Sequence, residues 1–240
     1  MEQEKKIRIL LWDIDATLLS FEKAEAYAIR KCFEIFGLGE CTDEMLHDYS
    51  RINKGYWELL EDGKIRKDEL LVRRFRDFFE AYGLDAETAA DFNAEYQVRL
   101  GDKVFFQDEG DRLVALLKEK GYKQYAVTNG TDVAQTRKLE KSGLGELLDD
   151  VFISDRIGAE KPTHGFFQVV WETLQREIGA FDREEVMIIG DSLTSDMRGG
   201  VQEGIVTCWY DPKKAPVPEQ MKLDHVIFDL WELEQILGLQ

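Results

Sequence analysis

Two aspartates near the start of the chain are the residues best placed to do chemistry. Asp13 and Asp15 directly follow the apolar run Ile9–Trp12, which has the composition of a buried β-strand. Residues i and i+2 of an extended strand share a face, so both carboxylates would lie beyond the same strand end. Open α/β sheets bind their ligands in the crevice at that edge. The pair predicts a site for a divalent metal and a phosphoryl group, with a polar strand end and helix cap as the alternative.

Three later polar segments also follow predicted strands. Thr128 and Asn129 place a hydroxyl, an amide and free backbone N–H groups at a strand-to-helix turn, which suits a phosphate. Lys161 supplies a point charge for a phosphate, and Asp191 supplies a hard oxygen ligand for a cation, with the Asp196 carboxylate in the same segment. Each segment alone is also typical of a turn, a surface lysine or a helix cap. Their common position after strands favours a shared site.

A mostly parallel sheet is needed to bring these side chains to one edge. Short apolar runs recur along the chain, and all but the last two are followed by a helical pattern. Helix stops at Gly121, Gly143 and Gly204 fit this alternation. The predicted fold class is therefore α/β. The predicted strands are 7–12, 124–128, 151–154, 186–190, 205–209 and 226–228.

A long insertion separates the first two predicted strands. About 111 residues lie between Thr17 and Thr128, whereas a simple β-α-β crossover takes roughly 30. Because insertions at a strand's carboxyl end usually overhang the ligand crevice, we predict a helical lid; a purely stabilising decoration is the alternative. Helical periodicity covers residues 22–36, 43–60, 67–82 and 86–100.

Taken together, the motifs resemble those of the haloacid dehalogenase-like (HAD) phosphohydrolase superfamily. Asp13-x-Asp15-x-Thr17, Thr128-Asn129-Gly130, the segment 157–162 with Lys161, and the segment 190–196 occur in the order of that family's four motifs. The insertion resembles the family's C1 helical cap, and parts of it are similar to the YjjG/YfnB-type 5′-nucleotidase branch. The resemblance implies a Rossmann-like HAD core at residues 1–19 and 103–240 and an all-helical cap at residues 20–102.

The resemblance also implies catalytic roles. Asp13 would be the nucleophile, and Asp15 would be the general acid and base. Lys161 would contact both the nucleophile and the phosphoryl group. Thr128 and Asn129 would bind the phosphoryl oxygens.

A magnesium ion is implied in the same way. Its ligands would be a side-chain oxygen of Asp13, the backbone carbonyl of Asp15 and the carboxylate of Asp191. Thr17 and Asp196 would support these ligands or the lysine.

The predicted function is a Mg²⁺-dependent phosphomonoester hydrolase that forms an aspartyl-phosphate and acts on nucleoside 5′-monophosphates. A sugar phosphate or another small phosphorylated metabolite is the alternative substrate, and a phosphomutase would retain the same motifs. A haloacid dehalogenase shares the nucleophile but does not need Asp15 to protonate an alcohol leaving group. The non-enzyme alternatives are a phosphate-binding signalling module and a catalytically silent paralogue.

Composition narrows the range of partners. The 240 residues are 44% hydrophobic, enough for a substantial core, and the net charge of −17 repels nucleic acid polymers and anionic membrane surfaces. Three cysteines without a C-x-x-C pair predict neither a disulfide framework nor a zinc site. Residues 1–6 precede an apolar stretch too short for a signal peptide, and no run is long enough to span a bilayer. The expected compartment is the cytoplasm, and the expected partner is a small phosphorylated metabolite.

Aromatic side chains in the insertion are candidates for stacking on a nucleobase. Amphipathic helices more often use such residues as core. The candidates are Tyr27, Tyr49, Tyr56, Trp57, Phe75 and Tyr96.

Overall fold

The computed structural model describes residues 7–239, which form two compact units. The first holds residues 7–20, Phe106–Asp132 and 142–239, and the second holds Phe21–Phe105 and Val133–Lys141. The predicted core and cap boundaries stay a prediction. Residues 1–6 and 240, which the predicted core includes, lie outside the described part of the chain.

The first unit is built on a six-stranded sheet in the order β3-β2-β1-β4-β5-β6, and every neighbouring pair is parallel. The predicted α/β fold is therefore confirmed, and each predicted strand is present within one or two residues of its expected ends. Near-continuous apolar runs form these strands because both faces of a parallel sheet are covered. Their bounds are β1 Ile9–Trp12, β2 Lys123–Thr128, β3 Asp150–Ile153, β4 Val186–Gly190, β5 Val206–Tyr210 and β6 His225–Ile227.

The register of β1 determines which loops come together. Trp12, the last residue of β1, pairs with Ala126 on β2 and with Ile189 on β4. All four residues of β1 are fully buried, as expected for a central strand with both faces covered. The segments that follow β1, β2 and β4 therefore emerge at the same edge of the sheet.

Helices cover the sheet of the first unit. The longest, α9, buries Phe166, Phe167, Val170 and Leu174 in a core that also contains Ile188 of β4. This spacing is the apolar stripe of an amphipathic helix. The helices of this unit are α5 Gly110–Glu119, α7 Leu144–Leu147, α8 Ser154–Ile157, α9 His164–Ile178, α10 Arg198–Glu203 and α11 Leu233–Ile236. Helix α6, Asp132–Ser142, belongs to the second unit except for its two end residues.

The second unit is helical, as the periodicity predicts. Thr42 caps the second helix by accepting a hydrogen bond from the Met45 N–H at 3.2 Å, and Gly83 ends the third with φ of 65°. The predicted helix at 86–100 begins instead as a tight turn over Ala86–Thr88, because the Asp85 side chain accepts from the Glu87 N–H. The helices are α1 Phe21–Phe36, α2 Asp43–Glu61, α3 Lys67–Tyr82 and α4 Ala89–Arg99.

Aromatic residues form the centre of this helical unit. Tyr49, Phe75 and Tyr96 are completely buried, and the Tyr49 and Phe75 rings stack with centroids 4.8 Å apart. These three side chains therefore serve as core. Tyr27 and Trp57 are half-buried, so their rings keep some accessible surface.

A polar network crosses the same core. The Asn53 amide group donates to Glu25 at 2.9 Å and accepts from Arg74 at 2.7 Å, and all three side chains are buried. Burial raises the pKa of Glu25, against the hydrogen bonds from Ser50 and Asn53. Within residues 7–239, no helix has the length and apolar character needed to cross a bilayer.

Candidate active site

Lys161 is the centre of the site at the carboxyl edge of the sheet. Its side chain is 1% exposed, and its Nζ donates to Asp13 Oδ1 at 2.8 Å, to Asp196 Oδ1 at 2.6 Å and to the Val127 carbonyl at 2.5 Å. An ammonium group has three donors, so all are used. Burial opposes the charged ammonium, but Asp13 and Asp196 together raise the pKa of Lys161 above its usual range. The site therefore holds a buried positive charge between two carboxylates.

Asp13 is held rigidly at the end of β1. Its backbone N–H donates to the Ile189 carbonyl at 2.9 Å, which extends the ladder between β1 and β4 by one bond. Burial raises the pKa of Asp13 to about 7; Lys161 opposes this rise, while Asp196 and Asp15 add to it. A divalent cation beside the carboxylate favours the ionised form, which is also the nucleophilic form.

Three carboxylates meet at this point. Asp13, Asp191 and Asp196 each place an oxygen within 4.8 Å of the others. Such a set of hard oxygen donors fits a divalent cation of the Mg²⁺ type. Asp196 accepts from Lys161 through Oδ1 and from the Ser192 N–H, at 3.2 Å, through Oδ2. Asp196 therefore connects Lys161 to the turn after β4, and we propose that it positions the lysine while Asp13 and Asp191 bind the cation.

The close approach of Asp196 depends on Gly190. A Cβ atom at position 190 would lie 2.3 Å from Asp196 Oδ2 and 2.7 Å from Asp196 Cβ. Asp196 sits in a single π-helical turn, Leu193–Met197, which directly precedes α10. The Ser192 hydroxyl caps this turn by accepting from the Ser195 N–H at 3.1 Å.

The substitution Gly190→Ala should therefore damage the site directly. We expect kcat/KM to fall at least about tenfold and stability to fall by about 1–3 kcal/mol, because the Asp196 carboxylate must move away from Lys161. Steady-state kinetics and urea unfolding measure the two effects. Gly165→Ala on α9 is the control, since its Cβ would meet only Ala159 at 3.7 Å. Equal kinetics in both variants would contradict the assignment of Asp196.

Thr128 and Asn129 lie at the end of β2, as predicted. Both are buried, and Thr128 Oγ1 accepts from the Gly130 N–H at 3.1 Å. The Asn129 side chain forms two bonds with the backbone of Lys161: its Oδ1 accepts from the N–H at 2.8 Å, and its Nδ2 donates to the carbonyl at 2.9 Å. Asn129 therefore holds the loop that presents Lys161.

Asp15 and Thr17 lie in a tight turn after Asp13. The Ala16 N–H donates to the Leu19 carbonyl at 2.7 Å, and Ala16 has φ of 67°, which places it in the left-handed region. Asp15 is half-buried and close enough for its charge to raise the pKa of Asp13. Thr17 is fully buried, and its Oγ1 has no hydrogen-bond partner among residues 7–239.

Some contacts of the site have no counterpart in the sequence motifs. These are the Val127 carbonyl, the paired bonds of the Asn129 side chain and the Trp209 indole, whose Nε1 donates to the Asp191 carbonyl at 2.8 Å. The composition of the motifs contains no signal for the first two. Trp209 is the last residue of the predicted strand 205–209, which is the one sequence feature that places it at this edge.

Known proteins that are similar to this chain belong to the family that the motifs resemble. Residues 7–204 match the family model of the haloacid dehalogenase-like hydrolases. The chain belongs to this family. The match covers β1 to α10, and therefore includes every residue named at the site except Trp209.

The relatives place the chain in the predicted YjjG/YfnB branch. It is 35% identical to the HAD-hydrolase YfnB of Bacillus subtilis over 98% of this chain and 97% of YfnB. It is 36% identical to the pyrimidine 5′-nucleotidase PynA of Streptococcus pneumoniae, over 85% and 84% of the two chains. The pyrimidine 5′-nucleotidase YjjG of Escherichia coli is 27% identical over 95% and 96%.

A solved structure is similar throughout. The crystal structure of YfnB bound to magnesium superposes with a TM-score of 0.89, covering 98% of this chain and 100% of that one at 35% identity. The family fold therefore extends over both units of the chain.

Proposed function

We propose that this chain is a Mg²⁺-dependent phosphomonoester hydrolase that forms an aspartyl-phosphate on Asp13. The observation that supports this most strongly is the buried Lys161 ammonium between Asp13 and Asp196, with the Asp191 carboxylate in the same cluster. One cation and three acids form a site for a second, divalent cation together with an anionic substrate.

In the first step, an oxygen of Asp13 attacks phosphorus. The new P–O bond forms as the bond to the leaving oxygen breaks, and the Asp15 carboxyl gives its proton to that oxygen. Water then attacks the phosphorus of the aspartyl-phosphate, Asp15 takes the proton of the water, and phosphate leaves as the Asp13 carboxylate is restored.

Charge repulsion is the main obstacle to this attack. Two unit charges about 4 Å apart cost roughly 4 kcal/mol at an effective dielectric near 20, which is nearly three powers of ten in rate. Lys161 offsets part of this repulsion, and the Thr128 hydroxyl with neighbouring N–H groups fixes the phosphoryl oxygens. Mg²⁺ held by Asp13, Asp191 and the Asp15 carbonyl would supply the remaining positive charge.

The proposed substrates are nucleoside 5′-monophosphates, pyrimidine ones first. This choice is supported by two relatives named as pyrimidine 5′-nucleotidases, each aligned over more than four fifths of this chain. We propose that the insertion after β1, residues 20–102, is the cap that selects the substrate. Tyr27 and Trp57 are its candidates for stacking on a base, since the other four candidates are buried: Tyr49, Tyr56, Phe75 and Tyr96.

The test is a kinetic screen with the purified chain. We expect phosphate release from p-nitrophenyl phosphate that EDTA abolishes and Mg²⁺ restores, and kcat/KM highest for pyrimidine 5′-monophosphates. A higher kcat/KM for a sugar phosphate would overturn the substrate class while leaving the reaction intact. Isomerisation without net phosphate release would identify a mutase, and the absence of turnover on every ester would overturn the hydrolase proposal.

A further inference from the structure

Trp209 makes a directed contact with the segment that carries a proposed metal ligand. It lies on β5 opposite Gly190, the last residue of β4, and its side chain is 4% exposed. Its indole Nε1 donates to the Asp191 carbonyl at 2.8 Å, which is a normal, well-formed hydrogen bond. This hydrogen bond lies directly beyond the last residue pair of β4 and β5.

The peptide that joins Asp191 to Ser192 is consequently held on both sides. Trp209 holds its carbonyl, and the Asp196 carboxylate accepts from its N–H at 3.2 Å. Fixing both polar groups of one peptide fixes the plane of that peptide, and therefore limits the backbone rotation that would turn the Asp191 side chain away. A phenylalanine ring would fill much of the same space but could not make the first of these bonds.

We propose that Trp209 is a positioning residue that aims the Asp191 carboxylate at the divalent cation. The inference rests on the proposed metal site, and it assigns a function to the indole N–H beyond filling the core. Partners that orient a metal ligand typically account for 10–100-fold in affinity. Because the hydrogen bond to Asp191 acts through the backbone, we expect its loss to weaken Mg²⁺ binding by about tenfold, the lower end of this range.

The test compares Trp209→Phe with a matched variant, Trp171→Phe. Trp171 is buried in the same hydrophobic core, and its indole donates to Glu203 at 2.9 Å. Calorimetric titration with MgCl₂ should show a dissociation constant about tenfold higher for Trp209→Phe and unchanged for Trp171→Phe. Activity should show the same split: a higher apparent KM for Mg²⁺ in the first variant, with kcat near wild type at saturating Mg²⁺.

The outcomes separate this inference from the proposed function. Equal Mg²⁺ affinity in Trp209→Phe and the wild type would overturn the positioning role alone. Failure of the wild type to bind Mg²⁺ would overturn the metal site and, with it, this inference. If Trp209→Phe does not fold, the proposal is tested on the wild type instead, by following the indole N–H signals of its five tryptophans in a ¹H–¹⁵N spectrum during titration with MgCl₂. MgCl₂ should shift the Trp209 signal more than that of Trp171, and equal shifts would overturn the role.

Discussion

Asp13→Asn should abolish phosphate release while leaving the fold intact. Loss of a covalent nucleophile commonly costs several powers of ten, so we expect kcat to fall by at least about 10⁴. The asparagine amide oxygen can still accept from Lys161, which also keeps its bonds to Asp196 and Val127. Because one of three clustered acids is removed, the Tm of the metal-free variant should equal or exceed that of the wild type.

Asp182→Asn is the matched control for this change. Asp182 caps the turn that leads into β4, in the same unit but outside the site, and asparagine caps equally well. Its kcat should stay at the wild-type value. Mass spectrometry of acid-quenched reactions should find a phosphorylated peptide containing Asp13 in the wild type and none in Asp13→Asn. Wild-type turnover by Asp13→Asn would exclude the covalent route.

Lys161→Met should remove both activity and a large part of the stability. The change leaves Asp13 and Asp196 buried with no cation beside them, and breaking a buried pair in this way typically costs about 3–5 kcal/mol. We also expect kcat to fall by about 10³ or more, because the variant loses the positive charge that we propose offsets the charge of the phosphoryl group. Urea unfolding and steady-state kinetics measure the two effects. Added Mg²⁺ should recover part of the stability because it binds only the folded site.

Lys123→Met is the control that measures how much stability is lost when a partly exposed ion pair is broken. Lys123 pairs with Asp149 at 2.7 Å, but its side chain is about half exposed, so its loss should cost no more than about 1 kcal/mol. Activity should not change. If Lys161→Met were as stable as Lys123→Met in the absence of metal, the two aspartates would not be ionised beside Lys161.

Much of the fold and the site follows from local sequence patterns. The strand Val186–Gly190 is predicted with the observed bounds because a short apolar run ends at a glycine followed by an acid. The helix Lys67–Tyr82 is also predicted with the observed bounds, because its apolar stripe ends at Gly83. Parallel strands then bring Asp13, Thr128 and Asp191 to one edge without any knowledge of distances. The order of the motifs along the chain is the other evidence that these residues form one site.

Contacts between distant segments do not follow from such patterns. The bond from Trp209 to Asp191 and the bonds from Asn129 to Lys161 depend on how strands and loops pack, and no local periodicity encodes them. The same is true in the helical unit, where spacing alone does not distinguish a core aromatic such as Tyr49 from a half-buried one such as Trp57. Side-chain packing decides these cases.

The position of β1 between β2 and β4 has a consequence for biosynthesis. The ribosome makes β1 first, but this strand gains its second neighbour only after residue 190 has been added. A nascent chain shorter than this lacks Asp191 and Asp196, so Asp13 is without the two other carboxylates of its cluster. Such long-range pairing is also slow compared with helix formation. The carboxylate cluster is thus assembled late in translation, once the sheet has closed around its oldest strand.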